Sequence, residues 1–267
     1  MLALAPALLC AASKPDVHEI IARSVQANQE DWKQAPAYSF LERDADSKHG
    51  SAKTIKTFQV FMIDGSPYNK LVAQNDQPLS ATMLAEEDRK LQREIVHRRG
   101  ESARDRKHRV AKYERERNQD HAMLNEMTKG FEYQVTGETT LDGHIVWVLK
   151  ATPKPGYVAP NNETKMLTGM RGTLWVDQAT YQWVKVEAEV FRTVSILAFF
   201  AKVGPGTRFE LEQEAVNDNL WLPKRLRVNV NATALGFLNE SSTEDDSFRN
   251  YRLMPRALAE AEAEGKQ

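Results

Sequence analysis

The sequence predicts an α+β protein in which an antiparallel sheet of about ten strands is interrupted by a helical segment. Residues 172–226 carry the clearest signal, because apolar and polar residues alternate there with period two around two polar turns. Val184, Val186 and Val190 fall on one face of this pattern, whereas Lys185 falls on the other. An antiparallel sheet with one wet face and one apolar face has this pattern. Something must cover the apolar face, either a second sheet, a helix or an apolar ligand.

Helices are predicted at the start and in the middle of the chain. Residues 16–32 are amphipathic, with Asp16 as a suitable N-cap and Ala35-Pro36 as the end of the helix. Residues 80–128 form a second helical segment, which is strongly charged and inserted between runs of strands. Ser80 can cap this segment, and residues 100–102 are expected to break it into two helices.

Strands are predicted wherever runs of β-prone residues are bounded by turn signals, with hairpin turns at residues 64–66 and 141–143. Residues 44–53 are expected to form a polar turn, and the acidic residues 244–246 a turn with solvated charge. The expected strands cover residues 38–43, 54–63, 68–73, 131–138, 144–150, 172–177, 183–192, 207–216, 221–234 and 247–252.

The charge of the chain is balanced, with 36 basic and 37 acidic residues and a net charge of −1. This balance gives no electrostatic reason to expect nucleic acid as a partner. The basic residues of the charged helices are open to two readings. They either pair with neighbouring acids along the helix, or they form a docking surface for an acidic partner or for lipid headgroups.

The two ends of the chain differ from its middle. Residues 1–13 are an apolar run that ends in small residues, which is typical of a secretory signal peptide and predicts export. Residues 14–254 are expected to form one domain that includes the charged helical insertion over residues 80–128. Residues 255–267 are rich in Ala and Glu and are expected to be disordered or a frayed helix.

Cys10 is the only cysteine of the chain. If the leader is removed, disulfides, thiolate metal sites and a cysteine nucleophile are all excluded. Acylation of Cys10 as a lipid anchor is not expected, because Leu9 stands where a small residue normally precedes an acylated cysteine.

The sequence offers no positive case for catalysis. The six histidines lack the spacing of a metal site, and no nucleophile elbow, dinucleotide fingerprint or phosphate loop is present. Asp44, Asp46 and Gly50 resemble the beginning of a calcium loop, but Ile55 occupies the position of the closing glutamate, so a solvated hairpin is predicted. We therefore predict no catalytic residue, no metal, no cofactor and no enzymatic activity.

The aromatic residues are the main candidates for ligand contacts. Aromatics in strands usually belong to a core, but the unalternating apolar run at residues 194–200 either packs over the sheet or lines the mouth of an apolar cavity. The residues that we predict as wall or mouth of such a cavity are Trp147, Trp175, Phe191, Ile196, Leu197, Phe199 and Phe200.

Two segments carry a family pattern: Gly172 to Glu187 reads Gly-x-Leu-Trp-Val-Asp-x-x-Thr-x-x-x-x-Lys-Val-Glu, and Trp221 to Lys224 reads Trp-Leu-Pro-Lys. In both segments the chain resembles the LolA-like superfamily of lipoprotein-sorting proteins. The resemblance implies a strongly curved antiparallel half-barrel, with helices over its concave face enclosing an apolar cavity. It also implies a periplasmic location and acyl chains of lipids or lipoproteins as cargo. The long charged insertion departs from the family pattern, and no arginine of this chain can be matched to the family's gating arginine.

The sequence leaves three functions open. The first is a monomeric, non-catalytic periplasmic carrier of lipid or lipoprotein acyl chains, which could touch a membrane peripherally. The second is an envelope sensor or assembly factor that binds an envelope protein through the charged helices at residues 86–120. An envelope hydrolase is a minor third.

Overall fold

The computed structural model describes residues 16–48, 51–162, 164–195, 201–234, 238–239 and 241–254. The predicted leader at residues 1–13 and the predicted tail at residues 255–267 lie outside the described residues. The described chain combines helices with an antiparallel sheet, so the predicted α+β class is confirmed.

The described residues form three α-helices, and each begins at a side-chain cap. Helix α1 spans Val17–Gln34, α2 spans Ala81–Arg99 and α3 spans Ala103–Gly130. Asp16 accepts a hydrogen bond from the His18 backbone N–H at the start of α1, and Ser80 accepts one from Met83 N–H at the start of α2. The break that the sequence predicts at residues 100–102 lies between α2 and α3. A short 3-10 turn at Ala35–Ala37 follows α1, and another at Thr164–Gly169 lies between the strands that end at Pro153 and begin at Met170.

The strands form one large sheet and one small one. In chain order the strands are β1 Tyr38–Lys48, β2 Thr54–Ile63, β3 Ser66–Gln74, β4 Gln77–Pro78, β5 Phe131–Leu141, β6 His144–Pro153, β7 Met170–Asp177, β8 Trp183–Val190, β9 Val194–Ser195, β10 Ala201–Val203, β11 Arg208–Asn217, β12 Leu220–Val230, β13 Ala232–Ala234, β14 Leu238–Asn239 and β15 Ser242–Leu253. The large sheet has eleven antiparallel strands in the order β4-β3-β2-β1-β15-β12-β11-β8-β7-β6-β5, and the small sheet has the order β14-β13-β10-β9.

Two segments expected as turns are strands. β1 continues to Lys48 through the predicted polar turn, and β15 begins at Ser242, so the acidic residues 244–246 lie in a strand. The expectation was wrong because a polar run resembles a loop when its strand partners are unknown. β1 and β15 pair with each other from Tyr38↔Leu253 to Lys48↔Ser242, near the middle of the sheet.

The large sheet is strongly curved and open. β6 and β12 are four positions apart in the strand order, which would separate them by about 19 Å in a flat sheet. Yet the His144 and Trp221 rings are 4.7 Å apart, and Lys224 Nζ lies 3.1 Å from Asp142 Oδ2. Such contacts require the strands between them to curl.

Helix α1 packs directly on one face of strands β5 to β8. Ile20 and Ile21 of the helix meet Leu149, Leu174 and other buried apolar side chains of the sheet. Each fully buried aliphatic side chain contributes about 1.5–3 kcal/mol, so this layer is a main source of stability. No helix in the described ranges is long and apolar enough to cross a membrane.

Two arginines attach the charged helices to the turn between β2 and β3. Arg98 at the end of α2 donates to Ile63 O, Ser66 O and Pro67 O at 2.8–3.2 Å, and Glu94 accepts from its Nε at 2.6 Å. Arg109 of α3 donates to Asp64 O at 3.1 Å and to Ser66 Oγ at 2.6 Å. Charged groups thus attach the α2–α3 end of the insertion to the sheet.

Candidate functional site

An apolar groove opens between α1, the end of α3 and strand β5. Its helix wall carries Val17, Ile21 and Val25, and its strand wall carries Phe131 and Tyr133. The groove has a volume of about 700 Å³ and is open to solvent along one side. His18, Ala22, Thr128, Glu132 and Lys154 complete the lining. Volumes of this size are typical of pockets that bind small apolar ligands.

The groove is formed at a boundary of the sheet. β5 is the last strand of the large sheet, so nothing pairs with its outer side among the described strands. Phe131 and Tyr133 alternate with polar residues on β5 and therefore face α1 together. The Tyr133 hydroxyl donates to Met127 O at 3.2 Å, which satisfies its polar end and leaves the ring to the apolar wall.

The opposite end of α1 carries a buried acid. Asp31 is only 3% exposed, and its carboxylate lies near the Trp221 backbone N–H and the Gln182 side chain without a hydrogen bond of good geometry. Burial raises the pKa of Asp31 to about 6, although the two neighbours oppose this rise.

Replacing Asp31 with asparagine should therefore remove a pH dependence of stability. The unfolded chain releases this proton near pH 4 and the folded chain near pH 6, so between these values the folded state binds more protons and stability falls as pH rises. We expect Asp31→Asn to be about 2 kcal/mol more stable than wild type at pH 8 and no more stable at pH 4. Urea unfolding at both pH values measures this, with Glu30→Gln on the exposed side of α1 as the control. Equal stabilities of Asp31→Asn and wild type at pH 8 would contradict the assignment.

A second cleft of about 630 Å³ lies on the face of the sheet opposite α1. The register places Lys150, Thr173, Glu187 and Glu210 in one row on this face. Its charges are largely paired, for example Lys185 Nζ with Glu210 Oε1 at 2.9 Å and Arg171 with Glu189 at 2.6 Å. A charged trough of this kind is a poor environment for an alkyl chain.

Five acidic residues share one face of the β1–β15 pair. They are Glu42, Asp44, Asp46, Glu244 and Asp246. Burial raises the pKa of Glu42 to about 7, and the negative charges of Asp44 and Glu244 add to this rise. Burial and the adjacent Glu244 likewise raise the pKa of Asp246.

The predicted aromatic residues do not share one cavity in the described part of the chain. Trp147 is 8% exposed and packs in the core under α1, where its ring lies 5.3 Å from that of Tyr181. Trp175 pairs in register with Val148, the neighbour of Trp147, and therefore lies on the other face of the sheet. Phe191 is 39% exposed, and the guanidinium groups of Arg171 and Arg192 are 5.5 and 5.7 Å from its ring. Ile196, Leu197, Phe199 and Phe200 lie outside the described residues.

Sequence reasoning missed both the α1–β5 groove and the acidic face. The apolar residues of α1 were recognised, but nothing in the sequence states which strand they face. The acids of β1 and β15 are about 200 positions apart, so only strand pairing brings them together.

No known family model matches the chain, and no curated protein sequence is similar to it. Several solved structures, including the following three, are similar over most of their length. A LolA superfamily protein from Nitrosomonas europaea is 13% identical, with 91% of this chain and 95% of that one covered and a TM-score of 0.35. A DUF1329 family protein from Desulfovibrio piger is 14% identical, with 95% and 100% covered and a TM-score of 0.33. An outer membrane lipoprotein-sorting protein domain from Vibrio parahaemolyticus is 10% identical, with 88% and 93% covered and a TM-score of 0.32.

The chain is thus similar to LolA-superfamily structures. At these identities and TM-scores the similarity assigns no function, so the proposals below depend on this chain's own residues.

Proposed function

We propose that this protein is a non-catalytic carrier of lipid or lipoprotein acyl chains in the periplasm of a bacterial envelope. The observation that supports this function is the apolar groove between α1 and β5, which is open to solvent and continuous with the core. Water disfavours an exposed apolar groove of this size, whereas an alkyl chain in it gains about 0.8 kcal/mol for each buried methylene.

The polar residues that line the groove are suited to an alkyl chain with a polar headgroup. Lys154 and His18 stand beside the apolar walls, and the Lys154 ammonium can attract a carboxylate or phosphate headgroup. On the α1 wall of the groove Ala22 is exposed and Val25 is half-buried, so solvent reaches this wall with the helix in place.

A charge placed in the groove should abolish binding. We expect Val25→Asp to weaken binding of a fluorescent stearate analogue at least tenfold, because the carboxylate would have to lose its hydration beside the alkyl chain. The matched control is Val96→Asp, which changes a helical valine that is 70% exposed on α2 and is not among the residues that line the groove. Fluorescence titration measures both affinities, and circular dichroism checks that both variants remain folded.

Two results would count against the carrier function. The first is a wild-type protein that neither takes up the stearate analogue nor retains lipid in native mass spectrometry after gentle purification from the periplasm. The second is a Val25→Asp variant that binds as well as Val96→Asp, which would place any lipid elsewhere.

A second candidate function is a docking module for an envelope protein. It is supported by two apolar residues of α2 that are exposed among its charged residues, Val96 at 70% and Met83 at 41%. Cross-linking from these two positions in the periplasm tests it. A partner captured from α2 but not from the α1–β5 groove would favour this function over the carrier.

A further inference from the structure

The acids on β1 and β15 converge on one point. The register Arg43↔Ser247 and Ser47↔Thr243 places Asp46 opposite Glu244 and Asp44 opposite Asp246. Carboxylate oxygens of Asp46, Glu244 and Asp246 all lie within 4.8 Å of one another. Like charges directly opposite each other destabilise a strand pair, so this arrangement calls for a compensating cation.

Within the ranges that the structure describes, the register places Lys56 of β2 opposite Asp44, so Asp44 has a neighbouring cation. Asp46, Glu244 and Asp246 make no ion pair there with a lysine or an arginine. Asp245 lies between two of them in sequence but points to the other face, where Arg225 Nε is 2.8 Å and Arg227 Nη2 is 3.6 Å away. The sheet therefore neutralises the acid on one face and leaves three acids together on the other.

Asp246 provides the second indication of a ligand. Its side chain is only 6% exposed, and its Oδ1 has no hydrogen-bond partner in the described part of the chain. A buried carboxylate oxygen without a partner is costly, and its other neighbours in the cluster are also acceptors. Asp46 and Glu244 are exposed, so the cluster is accessible to solvent on one side.

We propose that Asp46, Glu244 and Asp246 bind a calcium ion on the β1–β15 pair. The donors are all carboxylate oxygens, which select a hard divalent cation over zinc or copper. The oxygens lie within 4.8 Å of one another, a separation that Ca²⁺ bonds of about 2.3–2.6 Å can span. Ca²⁺ also accepts flexible coordination, whereas Mg²⁺ demands near-ideal octahedral geometry with bonds of about 2.0–2.1 Å. Water completes the coordination on the exposed side. This site is independent of the acyl groove and departs from the sequence prediction that the protein binds no metal.

The test compares thermal unfolding with and without calcium. We expect 5 mM CaCl₂ to raise the Tm of the wild-type protein by about 3 °C in a saturable manner, and MgCl₂ to raise it less. Asp246→Asn and Asp46→Asn should lose the calcium-induced shift. Asp245→Asn is the matched control, because it removes one charge from the same strand but on the opposite face. Its Tm starts lower since it breaks an ion pair, but its shift with calcium should remain.

Isothermal titration of the metal-free protein with CaCl₂ supplies the stoichiometry. One site per chain that disappears in Asp246→Asn supports the proposal. No heat and no Tm shift in the wild type would overturn it. An equal calcium shift in Asp246→Asn and Asp245→Asn would also overturn it, because that result describes diffuse counterion binding. An equal shift with magnesium would overturn the assignment to calcium.

Discussion

Replacing Arg98 with alanine is expected to lower the free energy of unfolding by about 4 kcal/mol, the largest effect of any charged residue of the helices. Arg98 is 8% exposed and donates to three backbone carbonyls of the β2–β3 turn and to Glu94. Alanine would leave these acceptors buried or unpaired and would detach the end of α2 from the sheet. Urea unfolding followed by circular dichroism measures the loss.

Arg99→Ala is the matched control for Arg98. It removes the same charge one position later, at an exposed position. The control should change stability by less than about 0.5 kcal/mol. Arg98→Lys should recover part of the loss, because one ammonium cannot reach all the carbonyls that the guanidinium contacts. A loss of less than about 1 kcal/mol in Arg98→Ala would show that the contacts with the turn contribute little.

Adding a single methyl group at Gly172 is expected to destabilise the protein by about 3 kcal/mol. A Cβ at this position would lie 2.4 Å from Glu187 O and 3.2 Å from the Ala188 Cα, both in the backbone of the neighbouring strand β8. Backbone atoms inside a sheet cannot move aside as a flexible side chain can. Gly172→Ala therefore requires β7 and β8 to separate over the core beneath α1.

Gly137→Ala tests the sign of this effect. Gly137 also lies in a strand, but nothing stands within 4 Å of a Cβ built there. Alanine normally stabilises a strand interior by about 0.5–1 kcal/mol relative to glycine, so this variant should be neutral or slightly more stable. Thermal unfolding of both variants measures the difference. A Gly172→Ala protein as stable as Gly137→Ala would contradict the close approach of β7 and β8.

The sequence predicts the parts of this fold that depend on neighbouring residues. Asp64-Gly65 and Asp142-Gly143 adopt positive φ at both positions, as the hairpin turns predicted there require. The turn after β7 also follows the sequence, because Asp177 Oδ1 accepts from the backbone N–H groups of Ala179 and Thr180.

The parts that depend on strand order could not be predicted. Periodicity shows that Trp147 and Trp175 lie in strands, but only the register places them on opposite faces. The charge of Asp46 and Asp246 is visible in the sequence, whereas their approach depends on β1 lying beside β15. The burial of Asp31 could not be predicted for the same reason. Its side chain is buried only because α1 packs against β12 and the turn between β7 and β8.

The pairing of β1 with β15 also governs the order in which the chain can fold. β1 to β3 and β5 to β8 are local meanders that can form early, because their hairpins close short loops. The two meanders join through β11, β12 and β15, and β15 emerges only after more than 200 residues have been synthesised. Until then, β1 and β12 each expose an unpaired edge in the middle of the future sheet. A chain that stalls before β15 would therefore be prone to aggregation and attractive to chaperones, even though most of its hairpins had already formed.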